Sequence, residues 1–257
     1  MPLFSKDKFQ ISTKARLDPN SSESIISQLD RKIDASLGRL QRNFVELYQL
    51  HNRIQSVGDK DNFSAKDILK RGGVADAMEK FKSDERIKSI GITALGDIDA
   101  INEVVLSDCF DVAQIYYNLL NPSASYKTSG SWNDHDFSNL INNCISKDMG
   151  LMNIRIYAAG YLATDKRHGR EIPVTFGINE NELNRRVEKI NSILDDVKGT
   201  KAQKALRYGL SNKDMSTIVI GLAKIEHLEE ALEGYDQGHL DEETLITIEE
   251  LQNKNFY

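Results

Sequence analysis

Two titratable side chains stand one residue past the end of a short apolar run. Lys14 follows Phe9-Gln10-Ile11-Ser12-Thr13, and His51 follows Val45-Glu46-Leu47-Tyr48-Gln49-Leu50. If both runs are parallel strands, the two groups lie at strand carboxyl ends, the face on which α/β barrels gather catalytic groups from separate strands. Taken singly, the lysine reads as a solvated surface group and the histidine as a hydrogen-bonded group near the core. Their shared placement makes the pair a candidate site for charge stabilisation and proton exchange.

The elements that must position them follow from short apolar runs alternating with longer segments of helical period, the pattern of repeated βα units on a parallel sheet. Six strands are expected, at 9–13, 45–50, 88–93, 112–117, 152–157 and 217–221. After Pro19-Asn20-Ser21-Ser22, the positions Ile26, Leu29, Ile33, Leu37 and Leu40 keep one apolar helical face. Ser64 is the expected N-cap of a helix carrying Val74, Ala77, Met78 and Phe81, weakened or interrupted at Gly72-Gly73. Leu183, Val187, Ile190 and Leu194 form another stripe, opened by Asn179 and Glu180, and Ile225, Leu228 and Leu232 form one after the last strand. No linker, low-complexity tract or repeat divides the chain, so residues 1–257 read as a single domain. No G-x-G-x-x-G follows the first strand, as an open dinucleotide-binding sheet would have it. The polar side chains gather instead at the carboxyl ends of several strands.

Composition sets the outer bounds. With 257 residues, 40% apolar and 28% charged, and a mean hydropathy of −0.46, the chain has the material for a real core and is unlike a disordered polymer. A net charge of −6 without a basic run argues against nucleic-acid and acidic-membrane partners. Cys109 and Cys144 lack metal-ligand spacing and read as buried, reduced thiols, which points to a reducing compartment and to the cytoplasm. The first residues carry no apolar signal core, and no run reaches the roughly 18 apolar residues of a membrane span. His135, His168 and His239 lie in polar segments and read as surface groups. With no H-E-x-x-H or paired-cysteine motif, no metal is expected.

The ordered series of strand ends is similar to the aldo-keto reductases. Ile11-Ser12-Thr13-Lys14, then Ser36-Leu37-Gly38-Arg39-Leu40 leading into Phe44 to His51, resembles that family's segment with an active-site lysine and histidine. The resemblance continues through Ile90-Gly91-Ile92-Thr93, Val112-Ala113-Gln114-Ile115-Tyr116-Tyr117-Asn118, Ile154-Arg155-Ile156-Tyr157-Ala158-Ala159-Gly160 and Ser216-Thr217-Ile218-Val219-Ile220-Gly221. It implies a TIM-type (β/α)₈ barrel and NAD(P)-dependent hydride transfer between a small carbonyl compound, or a sugar lactol, and an alcohol. In that chemistry a tyrosine hydroxyl protonates the developing alkoxide, a lysine paired with an aspartate lowers the tyrosine pKa, and a histidine orients the carbonyl. Lys14 and His51 match two of these four roles. The aspartate and tyrosine belong upstream of the lysine strand, and no tyrosine precedes Tyr48 here. The expectation is a barrel truncated at its amino end, with six of eight strands and doubtful activity. The alternatives are a catalytically impaired nucleotide-binding or regulatory relative, or a gene fragment.

The resemblance also implies a cofactor, NADP or NAD. Thr93 and Gln114 match groups that hydrogen-bond the nicotinamide carboxamide, although Ala94 stands where many relatives carry asparagine. Tyr157 matches the aromatic that stacks on the nicotinamide ring. The turn from Gly221 to a helix start near Lys224 matches a phosphate site, and Glu230 an adenine-side glutamate. His227 and Ala231 replace the arginine and asparagine of NADP-preferring relatives, so the guanidinium fork for a 2′-phosphate is missing and Lys224 is the remaining point charge. The insert at 121–136, with Trp132, is a candidate lid or pocket wall.

Overall fold

The structure, a computed structural model, describes residues 9–126, 132–166 and 178–257. The chain forms two compact units, Met1–Gln114 with Asn143–Gly150, and Ile115–Asn142 with Leu151–Tyr257.

The first unit runs β1 (Ser12–Ala15), α1 (Ile25–Leu40), β2 (Val45–Leu50), the short strands β3 (Ile54–Gln55) and β4 (Phe63–Ser64), α2 (Ala65–Leu69), α3 (Val74–Ser83), β5 (Ile87–Thr93), α4 (Ile98–Leu106) and β6 (Val112–Tyr116), which continues into the second unit. β1 pairs with β2, β2 with β5 and β5 with β6, all in parallel, in the registers Lys14↔Gln49, Gln49↔Gly91 and Thr93↔Gln114. Strands so paired need helical crossovers. α1 supplies the first, burying Leu29, Ile33 and Leu37, starting where Ser24 Oγ accepts the Ser27 N–H and stopping at Gln41 in a left-handed conformation. The expected interruption at Gly72-Gly73 is a full break between α2 and α3. A Cβ on Gly73 would lie 2.6 Å from Asp67 O and 2.7 Å from Ile68 O, so the α2 carbonyls close against this backbone only because it has no side chain.

β1 is shifted from the expected 9–13 to Ser12–Ala15, which puts Lys14 inside the strand instead of after it. Ladder bonds set the limits: Leu47 N–H donates to Ile11 O and His51 N–H to Ala15 O. The Ile11 N–H is taken by the Glu46 carboxylate at 2.7 Å, which blocks regular pairing further upstream. Cys144 is buried as expected, its thiol pushed up to about 12 by burial. Cys109 is exposed, contrary to expectation, because it lies in the turn that follows α4.

The second unit comprises α5 (Leu140–Ile145), whose end belongs to the first unit, β7 (Gly150–Ile154), α6 (Glu180–Ile193), α7 (Lys201–Ser211), β8 (Thr217–Ile218), α8 (Ile225–Asp236) and α9 (Glu242–Asn253). β7 and β8 are parallel, with Met152↔Thr217 and Asn153↔Ile218 in register. β7 ends at Ile154, so Tyr157 lies beyond it, immediately before a 3₁₀ turn at Ala158–Gly160. β8 ends at Ile218, which leaves Gly221 in the following loop. α6 opens as expected, with Asn179 Oδ1 accepting the Glu182 N–H at 2.9 Å, and buries Val187 and Ile190. No helix among the described residues is long and apolar enough to cross a membrane.

The stripe on α8 departs from expectation. Ile225 is 61% exposed, Leu232 55% and Tyr235 64%, while the buried residues of this helix are Ala231 and Gly234. A Cβ on Gly234 would approach Gln203 Cγ of α7 to 3.1 Å, so α8 packs closely on α7 through its small residues and turns its apolar stripe outward. Replacing one of these exposed side chains should therefore cost little. In urea denaturation, Leu232→Ser is expected within about 0.5 kcal/mol of the parent. Ile190→Ala, at a fully buried position of the same unit, is expected to lose about 2–5 kcal/mol. Equal losses would show that the stripe is covered in solution.

Candidate active site

Side chains alternate along each strand, so the registers above bring Lys14, Gln49 and His51, Gly91 and Thr93, and Gln114 to one face of the sheet in the first unit. Gly91 is the permissive member. A Cβ there would lie 2.8 Å from Val112 O and 3.2 Å from Gln49 Cγ, so only glycine leaves room for the buried Gln49 side chain, whose Nε2 donates to Ser12 Oγ at 2.8 Å.

Four of the candidate residues are joined by hydrogen bonds. Lys14 Nζ donates to Gln114 Oε1 at 3.3 Å, Thr93 Oγ1 donates to the same oxygen at 3.3 Å, and His51 Nδ1 lies 3.1 Å from Thr93 Oγ1. β1 and β6 are three strand spacings apart, roughly 14 Å if the sheet were flat, and side chains on a flat sheet stand perpendicular to it. Contact between the tips of Lys14 and Gln114 therefore requires the four strands to curl toward this face, as barrel strands do. Thr93 and Gln114 are only 2% and 4% exposed, His51 is half-buried and Lys14 is exposed. The arrangement is a cation at the solvent side and an imidazole linked to it by two buried polar groups. Among the described residues the Gln114 amide nitrogen has no partner, so its N–H donors remain for a carbonyl acceptor such as a carboxamide oxygen.

The remaining candidates lie in the second unit. Tyr157 is half-buried, and its hydroxyl is pushed up to about 12 by burial, with Glu230 adding to the effect. Glu230 accepts from Thr200 Oγ1 at 2.6 Å, which ties it to the start of α7. Gly221 and Lys224 are exposed, and Lys224 is the N-cap of the 12-residue α8 with no side-chain cap bond, so the amide N–H groups of the first turn are open to an anion. A Cβ at Gly221 would meet nothing within 4 Å, so this chain's own packing does not demand a glycine there. His227 accepts the Ala223 N–H through Nδ1 at 3.3 Å, and Ala231 is buried.

Of the other histidines, His239 is exposed as expected and His168 lies outside the described residues. His135 is not a surface group. It is half-buried with its ring 4.5 Å from that of Phe137, because its carbonyl accepts from Asn121 Nδ2 at 2.8 Å and Trp132 Nε1 at 3.3 Å. Sequence reasoning also missed Gln49 and Asn52. Strand alternation with His51 could have flagged Gln49. Asn52, which binds both the N–H and the carbonyl of Leu17 at 2.8 Å, left no signal.

Parallel strands joined by helical crossovers make this an α/β protein. The chain belongs to the aldo/keto reductase family, whose model matches residues 3–253. It is 24% identical to L-galactose dehydrogenase of Arabidopsis thaliana over 248 residues, spanning 95% of this chain and 70% of that protein. Among solved structures, it is similar to the holo form of aldo-keto reductase AKR11C1 from Bacillus halodurans, with a TM-score of 0.68, 18% identity, and coverage of 94% of this chain and 71% of that one. The apo form of the same protein gives a TM-score of 0.66.

Placement of Lys14 depends on Glu46, which anchors the residue before β1 and also binds Arg42 at 2.6 Å. Burial raises the Glu46 pKa, but the Ile11 N–H and the Arg42 guanidinium outweigh it, and the net value is below the ordinary carboxylate range. A depressed native pKa contributes stability that is complete above the unfolded value of about 4.3 and is lost as pH falls through the native one. Glu46→Gln is therefore expected to be less stable than the parent at neutral pH, with the deficit shrinking in acid. Denaturant midpoints over a pH series would check this, and parallel profiles for the two proteins would refute it.

Proposed function

We propose that this chain binds a nicotinamide dinucleotide and interconverts a small aldehyde, ketone or sugar lactol with the corresponding alcohol or lactone by hydride transfer. The observation that carries this reading is the hydrogen-bonded run from Lys14 through Gln114 and Thr93 to His51 on one sheet face. The Arabidopsis relative is an L-galactose dehydrogenase, which supports a sugar or polyol as the substrate class.

The cofactor supplies the hydride-accepting or hydride-donating carbon when bound. Gln114 is suited to hold its carboxamide through the open amide N–H donors, and Tyr157 to cover the ring. The exposed first turn at Lys224 is suited to phosphate, and Glu230 to the adenine side. Lys14, drawn toward the Gln114 amide, is suited to stabilise negative charge developing on the substrate oxygen. His51 orients that oxygen. The small molecule is the only partner this reading requires, and the cytoplasm is its compartment.

A second reading, a nucleotide-binding relative weak in carbonyl reduction, is favoured by the tyrosines. A proton-donating tyrosine needs a lowered pKa. Burial raises those of Tyr48, Tyr117, Tyr126, Tyr157 and Tyr208.

Calorimetric titration with NADH and NADPH, followed by turnover assays on aldehydes, ketones, lactols and secondary alcohols, tests the proposal. Both dinucleotides are expected to bind, NADH at least as tightly as NADPH, because His227 offers no guanidinium fork. Lys224→Ala should weaken NADPH binding more than NADH binding. Carbonyl reduction should run roughly 10²–10⁴-fold below that of a relative with its tyrosine in place. Failure to bind either dinucleotide would refute the reading.

A further inference from the structure

We propose that the first unit carries a second binding site, for a phosphorylated sugar, in the cavity beyond the carboxyl end of β1. The cavity has a volume of about 620 Å³, within the range of small-molecule sites, and is walled by the stretch from Arg16 to Glu23, the first half of α1, Asn52, and Lys60 with Asp61. Neither Lys14 nor His51 lines it, so the site stands apart from the hydride-transfer reading.

Two buried amides build the wall. Asn52, 2% exposed, accepts the Leu17 N–H at 2.8 Å and donates to Leu17 O at 2.8 Å and to Asp61 O at 2.7 Å. Gln28, also 2% exposed, accepts the Asp18 N–H at 2.8 Å and donates to Asp18 O at 3.0 Å and to Glu23 O at 3.1 Å. On the other side of Arg16, Ala15 O accepts the His51 N–H at 2.8 Å. The backbone flanking Arg16 is therefore fixed, and three separate stretches of wall are tied to buried groups. A ligand here meets a preformed surface and does not have to order the loop.

The charges on this wall are unevenly used. Four cations and three carboxylates line the cavity, in a chain whose net charge is −6. Arg31 and Glu23 satisfy each other at 2.9 Å. Arg16, Lys32 and Lys60 form no hydrogen bond or ion pair among the described residues. Like charges gathered round one concavity repel, and an anion among them relieves the repulsion. Phosphate suits the set, because a guanidinium grips two of its oxygens while the ammonium groups act as point charges. The carboxylates of Asp18 and Asp61 are acceptors only, so they repel a bare anion and welcome hydroxyl donors. A phosphate joined to a polyol matches both halves of the wall.

The test is calorimetric titration of the full chain without dinucleotide, using glucose 6-phosphate, glucose and inorganic phosphate as probes. Glucose 6-phosphate is expected to bind at least about 10-fold more tightly than either of the others, one charge-assisted contact or more. Arg16→Ala should weaken it roughly 10-fold, the low end for such contacts, with Arg16→Lys in between. Lys32→Ala and Lys60→Ala should each weaken it roughly 3–5-fold, and added salt should weaken it further because the cations face solvent. Equal affinity for inorganic phosphate and glucose 6-phosphate would overturn the sugar assignment. No binding, equal affinity in the parent and Arg16→Ala, or binding lost in Lys224→Ala and kept in Arg16→Ala would overturn the site.

Discussion

A carbonyl oxygen accepts two hydrogen bonds, and Gln114 Oε1 receives one from Lys14 and one from Thr93. Because that oxygen is buried on β6, the groups around it are committed in direction as well as position. The lysine tip is drawn over the sheet face, and the threonine hydroxyl lies between the amide oxygen and the imidazole. The Gln114 amide orients the Lys14 ammonium by a hydrogen bond at 3.3 Å.

Several features of the first unit matter because of that oxygen. The curl of β1, β2, β5 and β6 brings side chains from distant strands into reach. Gly91 keeps the intervening backbone low enough for Gln49 to lie buried beside Lys14. Glu46, on the opposite face of β2 from His51, takes the Ile11 N–H and so determines where β1 begins pairing. A shift of one residue there would turn Lys14 to the other face, since side chains alternate with a period of two.

The second unit is organised around a different centre, the fully buried Arg186. Its guanidinium hydrogen-bonds Glu182, Asn133, Asn255 and Leu120 O, and lies 5.1 Å from the ring centroid of Trp132 and 4.5 Å from that of Phe256. A buried cation is tolerable only with such a complement of acceptors and ring faces. Arg186 thereby fastens α6 to the residues after α9 and to the segment at Trp132. The positions that resemble cofactor-binding residues, from Gly221 to Lys224, lie instead on an exposed loop and helix start.

Alternation and helical period sufficed to locate all six principal strands and the helices of α1, α3, α6 and α8, because burial of one face leaves a periodic trace in the chain. The same trace, with a residue-by-residue resemblance, singled out Lys14, His51, Thr93 and Gln114. Periodicity could not say which face of α8 packs. Ala231 and Gly234 win the contact with α7 by allowing closer approach, and the apolar stripe is left outside. Nor could it give the role of His135 or Arg186, whose partners lie far away along the chain. The hydrogen-bonded run from Lys14 to His51 was likewise invisible, because its members lie far apart along the chain and only the tertiary structure brings residues 14, 51, 93 and 114 within reach of one buried oxygen.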